Sequence, residues 1–299
     1  MDAALALDGE IISADSVQVY RGLDIGSAKP SLSDRAKVKH WCVDIVGPDE
    51  PFDAAAWVHH ATAAIQDIHT RGKVPIVVGG TGFYVRALLS GLHDVDVIKE
   101  NVREQVRKEL VEKGPETMHK ELEVVDPEAA QRISPTDPQR IGRALEVYRS
   151  TGIPLSEHFK KTRPVMALNP LTVGLWPPRD RLYAAIEARA AGMIETGLVE
   201  EVRLLLDRHV PHDSGPLTAL GYRQVVEHLR QSPTKPLLEN IATAHRQYAR
   251  RQLTWFRGIT TRENSLVHID PTVNDALPKV LELWRGATPT AQAMTEGSA

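Results

Sequence analysis

Residues 10–30 read EIISADSVQVYRGLDIGSAKP. After Glu10 the run to Ala14 is apolar and strand-like, while Gly22, Gly26 and Pro30 break the remainder of the stretch into turns. Asp15 stands where the strand should stop. In open α/β sheets ligands collect outside the carboxyl ends of the strands, so an acid at this point faces the crevice. It can accept a proton there, bind magnesium, or cap the next turn. This stretch alone leaves all three open.

Working outward, Trp41–Val46, Val74–Val78 and Leu171–Trp176 read as further buried parallel-type strands, with a short edge strand near Leu266–Ile269. Helical patterns lie between them. Phe52–Thr70 puts Trp57, Ala61, Ala64, Ile65 and Ile68 on one face. This alternation predicts an α/β fold, a parallel sheet flanked by helices. From Asp94 to Pro170 the rhythm changes to short helices: Asn101–Glu112, Glu116–Glu123, Pro127–Ile133 and Pro138–Ser150. The predicted division is an α/β core with C-terminal helices (1–93 and 171–285), a helical insertion (94–170) and a disordered tail (286–299). The opening DAALAL reads as a severed helix, because Ala4, Leu5 and Leu7 have no preceding strand to pack on.

The 299 residues allow a sizeable core, and 42% hydrophobic with 25% charged residues is the balance of a soluble globular protein. No apolar run nears the roughly 20 residues that span a bilayer, and no secretory signal opens the sequence, so the expected location is the cytoplasm. A single cysteine excludes an internal disulfide and a Cys-rich zinc site. A net charge of −3 argues against indiscriminate nucleic-acid binding but leaves room for a local patch. Basic residues do cluster, in DPQRIGRALEVYR (137–149) and AHRQYARRQLTWFR (244–257).

Two other features carry chemistry. VPIVVGGTGFYVRALLSG (74–91) is a strand, a Gly-Gly-Thr-Gly turn and a helix. Gly79, Gly80 and Gly82 let the backbone approach a ligand, and a helix start offers N–H groups to an anion. The plainer reading is a tight turn capped by Thr81. Arg179 and Arg189 come after the strand LTVGLW; either can hold an anion or merely lie on a solvated helix face.

Taken in order, GEIISADSVQVYRGLDIGSAKP, VPIVVGGTGFYVRALLSGL, DPQRIGRALEVY, LGYRQV and RQYARRQLTWFRG resemble the tRNA dimethylallyltransferase (tRNA isopentenyltransferase) family along nearly the whole chain. The resemblance implies a P-loop-kinase-like core with a helical insertion that grips the anticodon arm. It also implies transfer of a dimethylallyl group from its diphosphate to N6 of the adenosine 3′ to the anticodon. By the same resemblance Asp15 is the general base, Thr81 lies near the bridging diphosphate oxygen and the tRNA, and Arg189 binds diphosphate. The tRNA contacts it implies are Asp15, Ser16, Val17, Gln18, Thr81, Arg103, Gln139, Arg140, Ile141, Gly142, Arg143, Gly221, Tyr222 and Arg223. Arg250, Arg251 and Arg257, with Arg140 and Arg143, would add phosphate contacts. Magnesium is implied as cofactor, tRNA and dimethylallyl diphosphate as partners, and the monomer as the working form.

The family opens with a strand and a P-loop, G-x-x-x-x-G-K-S/T, and neither is in this sequence. Met1 is accordingly read as an internal methionine taken as the start, with a truly shortened protein as the other reading. Two alternatives stand beside the tRNA enzyme: an impaired homologue that only binds tRNA, and an adenylate isopentenyltransferase acting on a free nucleotide. The helical insertion and its basic residues favour tRNA over the free nucleotide.

Overall fold

The computed structural model describes residues 1–92, 98–230, 235–259, 266–273 and 275–287. Two compact units divide the chain, Met1–Arg86 with Leu168–Ala299, and Ala87–Ala167. The first begins with α1 (Asp2–Ala6), β1 (Gly9–Ser13), α2 (Leu32–Lys37), β2 (His40–Trp41), α3 (Ala54–Thr70), β3 (Val74–Val78) and α4 (Gly82–Ser90), within which the division falls. A parallel sheet runs in the order β2-β1-β3. Gly9 to Ser13 pair residue by residue with Val74 to Val78. A helix in each crossover returns the chain to the same end of the sheet, which is what makes the pairing parallel.

Every residue of β1 is buried. The charge of Glu10 survives there because Arg71 and Trp41 Nε1 hold its carboxylate, the latter at 2.8 Å. On α3, capped by Asp53, the predicted face is the buried one. Its Trp57 donates to the Ser13 carbonyl at 2.8 Å and stacks on Tyr84, fixing the end of β1.

Two expectations from the sequence are corrected here. Trp41–Val46 is not one strand: Cys42 (φ 60°) and Asp44 (φ 57°) take left-handed backbone, which ends β2 after two residues. β3 is not buried throughout, since Val78 is 51% exposed and among the described residues β3 pairs with β1 alone. The DAALAL helix packs Ala4 against Ile11 of the strand that follows it and against Val38.

The second unit is helical wherever it is described: α5 (Glu100–Lys113), α6 (Pro115–Val125), α7 (Pro127–Arg132), α8 (Pro138–Thr151) and α9 (Leu155–Lys161). Proline opens α6, α7 and α8, where its missing N–H costs nothing, and Asp126 and Asp137 cap the last two. Val106, Met118, Leu122, Ile141 and Leu145 form its core. Buried Asp126 also accepts from Ser156 N at 2.9 Å, which ties down α9, a helix too short for its periodicity to show in sequence. Arg149 joins α8 to α5 and α6 through Glu109 and Glu121. Its guanidinium helps hold the Glu109 carboxyl down at about 2.

The chain returns to the first unit as β4 (Val173–Leu175), α10 (Arg179–Glu195), α11 (Leu198–Asp207), α12 (Tyr222–Arg230), α13 (Leu237–Ile259), β5 (Val267–Ile269) and α14 (Ala276–Ala287). β4 pairs in parallel with β5, and α13 packs on α10 and α12. Gly286 and Ala287, assigned to a tail, instead close α14, and residues 288–299 lie outside the described residues.

Candidate active site

Two loops meet beyond the ends of β1 and β3. Ala14 N donates to Val78 O at 2.8 Å, and Thr81 N donates to Ala14 O at 3.1 Å. Asp15 Oδ1 accepts from Val17 N (2.8 Å) and Gln18 N (3.2 Å), so the capping role is real. Among the described residues Oδ2 takes no hydrogen bond, which leaves it available to a proton or a cation. Thr81 Oγ1 accepts from Ser16 N at 3.1 Å and lies 3.5 Å from the exposed Ser16 Oγ. An acid and a hydroxyl from the ends of different strands thus share one place. Gln18 accepts from Ser13 Oγ and donates to the carbonyls of Ser27 and Ala28, joining this loop to GSAKP. Val17 is half-buried beneath it.

The glycines of the turn answer to protein rather than to open space. A Cβ at Gly79 would lie 2.2 Å from Ala14 O, at Gly80 2.0 Å from Gln252 Nε2, and at Gly82 2.2 Å from Trp255 Cδ1. α13 therefore presses directly on the turn. Tyr248 OH and Gln252 Nε2 both donate to Gly80 O, at 3.3 and 3.0 Å. Sequence reading passed over both residues, although their four-residue spacing puts them on one face of a long helix.

Arg189 is exposed and, with Asp24, Lys29 and Thr196, lines a cleft of about 470 Å³. Burial, reinforced by the Arg189 charge, holds the His245 imidazole below its ordinary range. His245 lies one turn before Tyr248 on α13, which runs on to the glycine turn. Lys29 turns inward with a side chain 1% exposed, held by Asp44 at 2.6 Å and by Asp24. Glu201 fixes the same loop by accepting from the backbone N–H groups of Asp24, Ile25 and Gly26 and from Tyr222 OH. Nothing in the sequence around Glu201 signals that clamp, since its backbone partners lie 175 to 177 residues away.

The tRNA-contact positions sort by exposure. The Ile141 and Tyr222 side chains are fully buried, and a Cβ at Gly142 would meet Leu110. Gly221, at φ +85°, supplies a turn that only glycine adopts readily. Gln139, Arg140, Arg143 and Arg223 are exposed, and Arg103, half-buried, pairs with Glu100. Arg250 donates to Tyr183 OH at 3.0 Å and Arg179 lies over the same ring at 5.1 Å, while Arg251 lies over Tyr248. Arg257 is exposed near the end of α13.

No group of three or more His, Cys, Asp or Glu residues that could hold a metal occurs among the described residues. Magnesium asks for less, one or two protein oxygens completed by phosphate and water. Asp15 Oδ2 and Ser16 Oγ fit that demand. No described helix is long and apolar enough to cross a membrane.

A carboxylate and a hydroxyl beyond the ends of parallel strands mark the edge of an α/β sheet at which proteins of this class bind their ligands. Known proteins narrow the class. The IPP transferase family model matches residues 18–259. A tRNA dimethylallyltransferase 1 of Trichlorobacter lovleyi is 47% identical over 262 residues, 86% of this chain and 85% of the relative. One from Desulfitobacterium hafniense is 41% identical over 297 residues, 98% and 93% of the two chains. Among solved structures, the Bacillus halodurans tRNA isopentenylpyrophosphate transferase superposes with TM-score 0.67 at 34% identity, covering 96% of this chain and 90% of that one. A eukaryotic dimethylallyltransferase acting on tRNA superposes with TM-score 0.81 at 26% identity, covering 97% and 76%. This chain belongs to the IPP transferase family.

Proposed function

We propose that this protein transfers a dimethylallyl group from dimethylallyl diphosphate to N6 of the adenosine beside the anticodon of tRNA. What carries the reading is the joining of Asp15 and Thr81 at one point outside the sheet. An exocyclic adenine amine is a weak nucleophile and needs a base as its new bond forms. Asp15, with Oδ2 unbonded among the described residues, takes that proton. The departing diphosphate gathers negative charge, which the Thr81 hydroxyl and the Arg189 guanidinium offset. The Ser16 hydroxyl would hold magnesium, whose chemistry there would be further neutralisation of the diphosphate charge. An adenine within a stacked loop must be turned out to reach the acid. Arg103, Gln139, Arg140 and Arg143 of the helical unit, and Arg223, Arg250, Arg251 and Arg257 elsewhere, hold the RNA backbone. The monomer is the proposed working form, and the cytoplasm the proposed location.

A second reading, tRNA binding without transfer, is favoured by one observation: protein atoms already fill the space beside Gly79, Gly80 and Gly82, so that turn is no ready-made phosphate cradle. Incubation with labelled dimethylallyl diphosphate and either tRNA or AMP separates the readings. Label in an N6-modified adenosine of tRNA supports transfer. Tight tRNA binding with no labelled product supports the binder, and labelled AMP the free-nucleotide enzyme.

A further inference from the structure

We infer that Glu201 is a positioning residue for Asp15: from α11 it holds the turn at residues 24–28, and through Gln18 that turn fixes where the Asp15 carboxylate points. This deepens the proposed transfer reaction and rests on it for the role of Asp15 as base.

The line of contacts is continuous. Glu201 Oε2 accepts from Asp24 N at 2.9 Å and Ile25 N at 2.8 Å, and Oε1 accepts from Gly26 N at 3.2 Å and Tyr222 OH at 2.7 Å. Hydrogen bonds to an ionised acceptor are the stronger kind, and here three consecutive backbone N–H groups converge on one carboxylate. The Tyr222 ring fills the space a side chain would take at Gly26, where a Cβ would lie 2.5 Å from Cε2, so the ring packs directly on the turn it helps to clamp. Within the turn, Ala28 N donates to Ile25 O and Lys29 N to Asp24 O, both at 3.0 Å. Holding residues 24–26 therefore holds the carbonyls of Ser27 and Ala28 as well.

Gln18 takes up the line at those two carbonyls. A glutamine side chain has two amide protons to give. Both go to the turn, to Ser27 O at 3.1 Å and Ala28 O at 3.3 Å, while Oε1 accepts from Ser13 Oγ at 2.8 Å. Gln18 is thus strung between the end of β1 and the turn that Glu201 holds. Its own backbone N–H donates to Asp15 Oδ1 at 3.2 Å, beside Val17 N at 2.8 Å. Those two N–H groups engage one carboxylate oxygen and so set the direction of the other. A base must lie within hydrogen-bond reach of its proton, and a misplacement of about 1 Å can cost about 100-fold in rate. With both amide protons committed to protein, the Gln18 side chain serves as this strut rather than as an RNA contact.

The test is a double-mutant cycle of E201A and Q18M, read by single-turnover transfer, tRNA affinity and amide hydrogen exchange. Methionine keeps the length of glutamine and removes its hydrogen bonds. Each single variant is expected to slow the chemical step by about 10-fold, the scale of one or two hydrogen bonds, with tRNA affinity within about 2-fold of wild type. The double variant should be no more than about 2-fold slower than the slower single, because the line is already cut. E201Q keeps one acceptor oxygen for the turn, should lose only about 3-fold, and replaces E201A in the cycle if alanine prevents folding. For either variant, no loss, or the same loss in both backgrounds, overturns the inference, as does a fall in tRNA affinity that accounts for the loss. Should the wild-type protein transfer nothing, the proposed function fails on that result alone. Exchange then decides the clamp: quickened exchange at the Val17 and Gln18 amides in the Glu201 variant keeps the link to Asp15, and unchanged protection rejects it.

Discussion

Glu10 sits inside a strand with no exposed residue, and its carboxyl is held down to about 2, chiefly by the Arg71 hydrogen bonds. That value lies below the 4.5 of a free glutamate, so the pair stabilises the fold fully above pH 4.5 and the contribution fades as pH falls toward 2. E10Q should therefore cost about 2 kcal/mol at pH 7, the figure for breaking a buried pair reduced because Arg71 is partly exposed. Urea titrations at several pH values check this: the wild-type advantage should shrink across that acid window. The glycines of the turn give a second residue-scale expectation. A Cβ at Gly79 meets the Ala14 backbone, which cannot yield, whereas at Gly80 it meets the end of the flexible Gln252 side chain. G79A should thus destabilise by more than about 2 kcal/mol and G80A by about 1 kcal/mol, both read by denaturant unfolding. At this scale the sequence was legible where chemistry coincides with a pattern break. Asp15 and Thr81 stood out because each comes just after an apolar run. Tyr248 did not, since a tyrosine on an amphipathic helix has many uses.

Elements that carry a strong period were readable. α3 tracks the residues that repeat at helical spacing, and β1 and β3 track short apolar runs bounded by turns. β2 failed because Cys42 and Asp44 adopt left-handed backbone, a choice made by tertiary contacts such as the Asp44 pairs with Lys29 and Arg35. The loop from Asp24 to Gly26 is likewise shaped from far away, by Glu201 on α11. E201A would leave three backbone N–H groups and the Tyr222 hydroxyl without their acceptor, a loss of about 3 kcal/mol. Hydrogen exchange should rise at residues 24–26, and unchanged protection would deny the clamp. On α8, Arg140 is exposed and only loosely paired, its Nε 3.4 Å from Asp137. R140A should weaken tRNA binding and lower the salt slope by about 1, without altering dimethylallyl diphosphate binding. Binding titrations at several salt concentrations check it.

At the scale of the whole chain, one unit holds Asp15, Thr81 and Arg189, the residues proposed for the chemistry, and the other is an all-helical body, as far as it is described, with exposed basic side chains on α8. The sequence placed the change from strands to helices at Asp94, and the two compact units divide within α4, between Arg86 and Ala87. Family membership makes prenyl transfer the expected chemistry, and the acid after β1 is the base we propose for it. The most direct measurement is the single-turnover rate of label transfer from dimethylallyl diphosphate to tRNA by wild type and D15N, with both substrates bound. The expected result is a rate lower by about 10²–10⁴-fold in D15N with tRNA affinity retained, the loss typical of a missing general base. A D15N rate equal to wild type would contradict it.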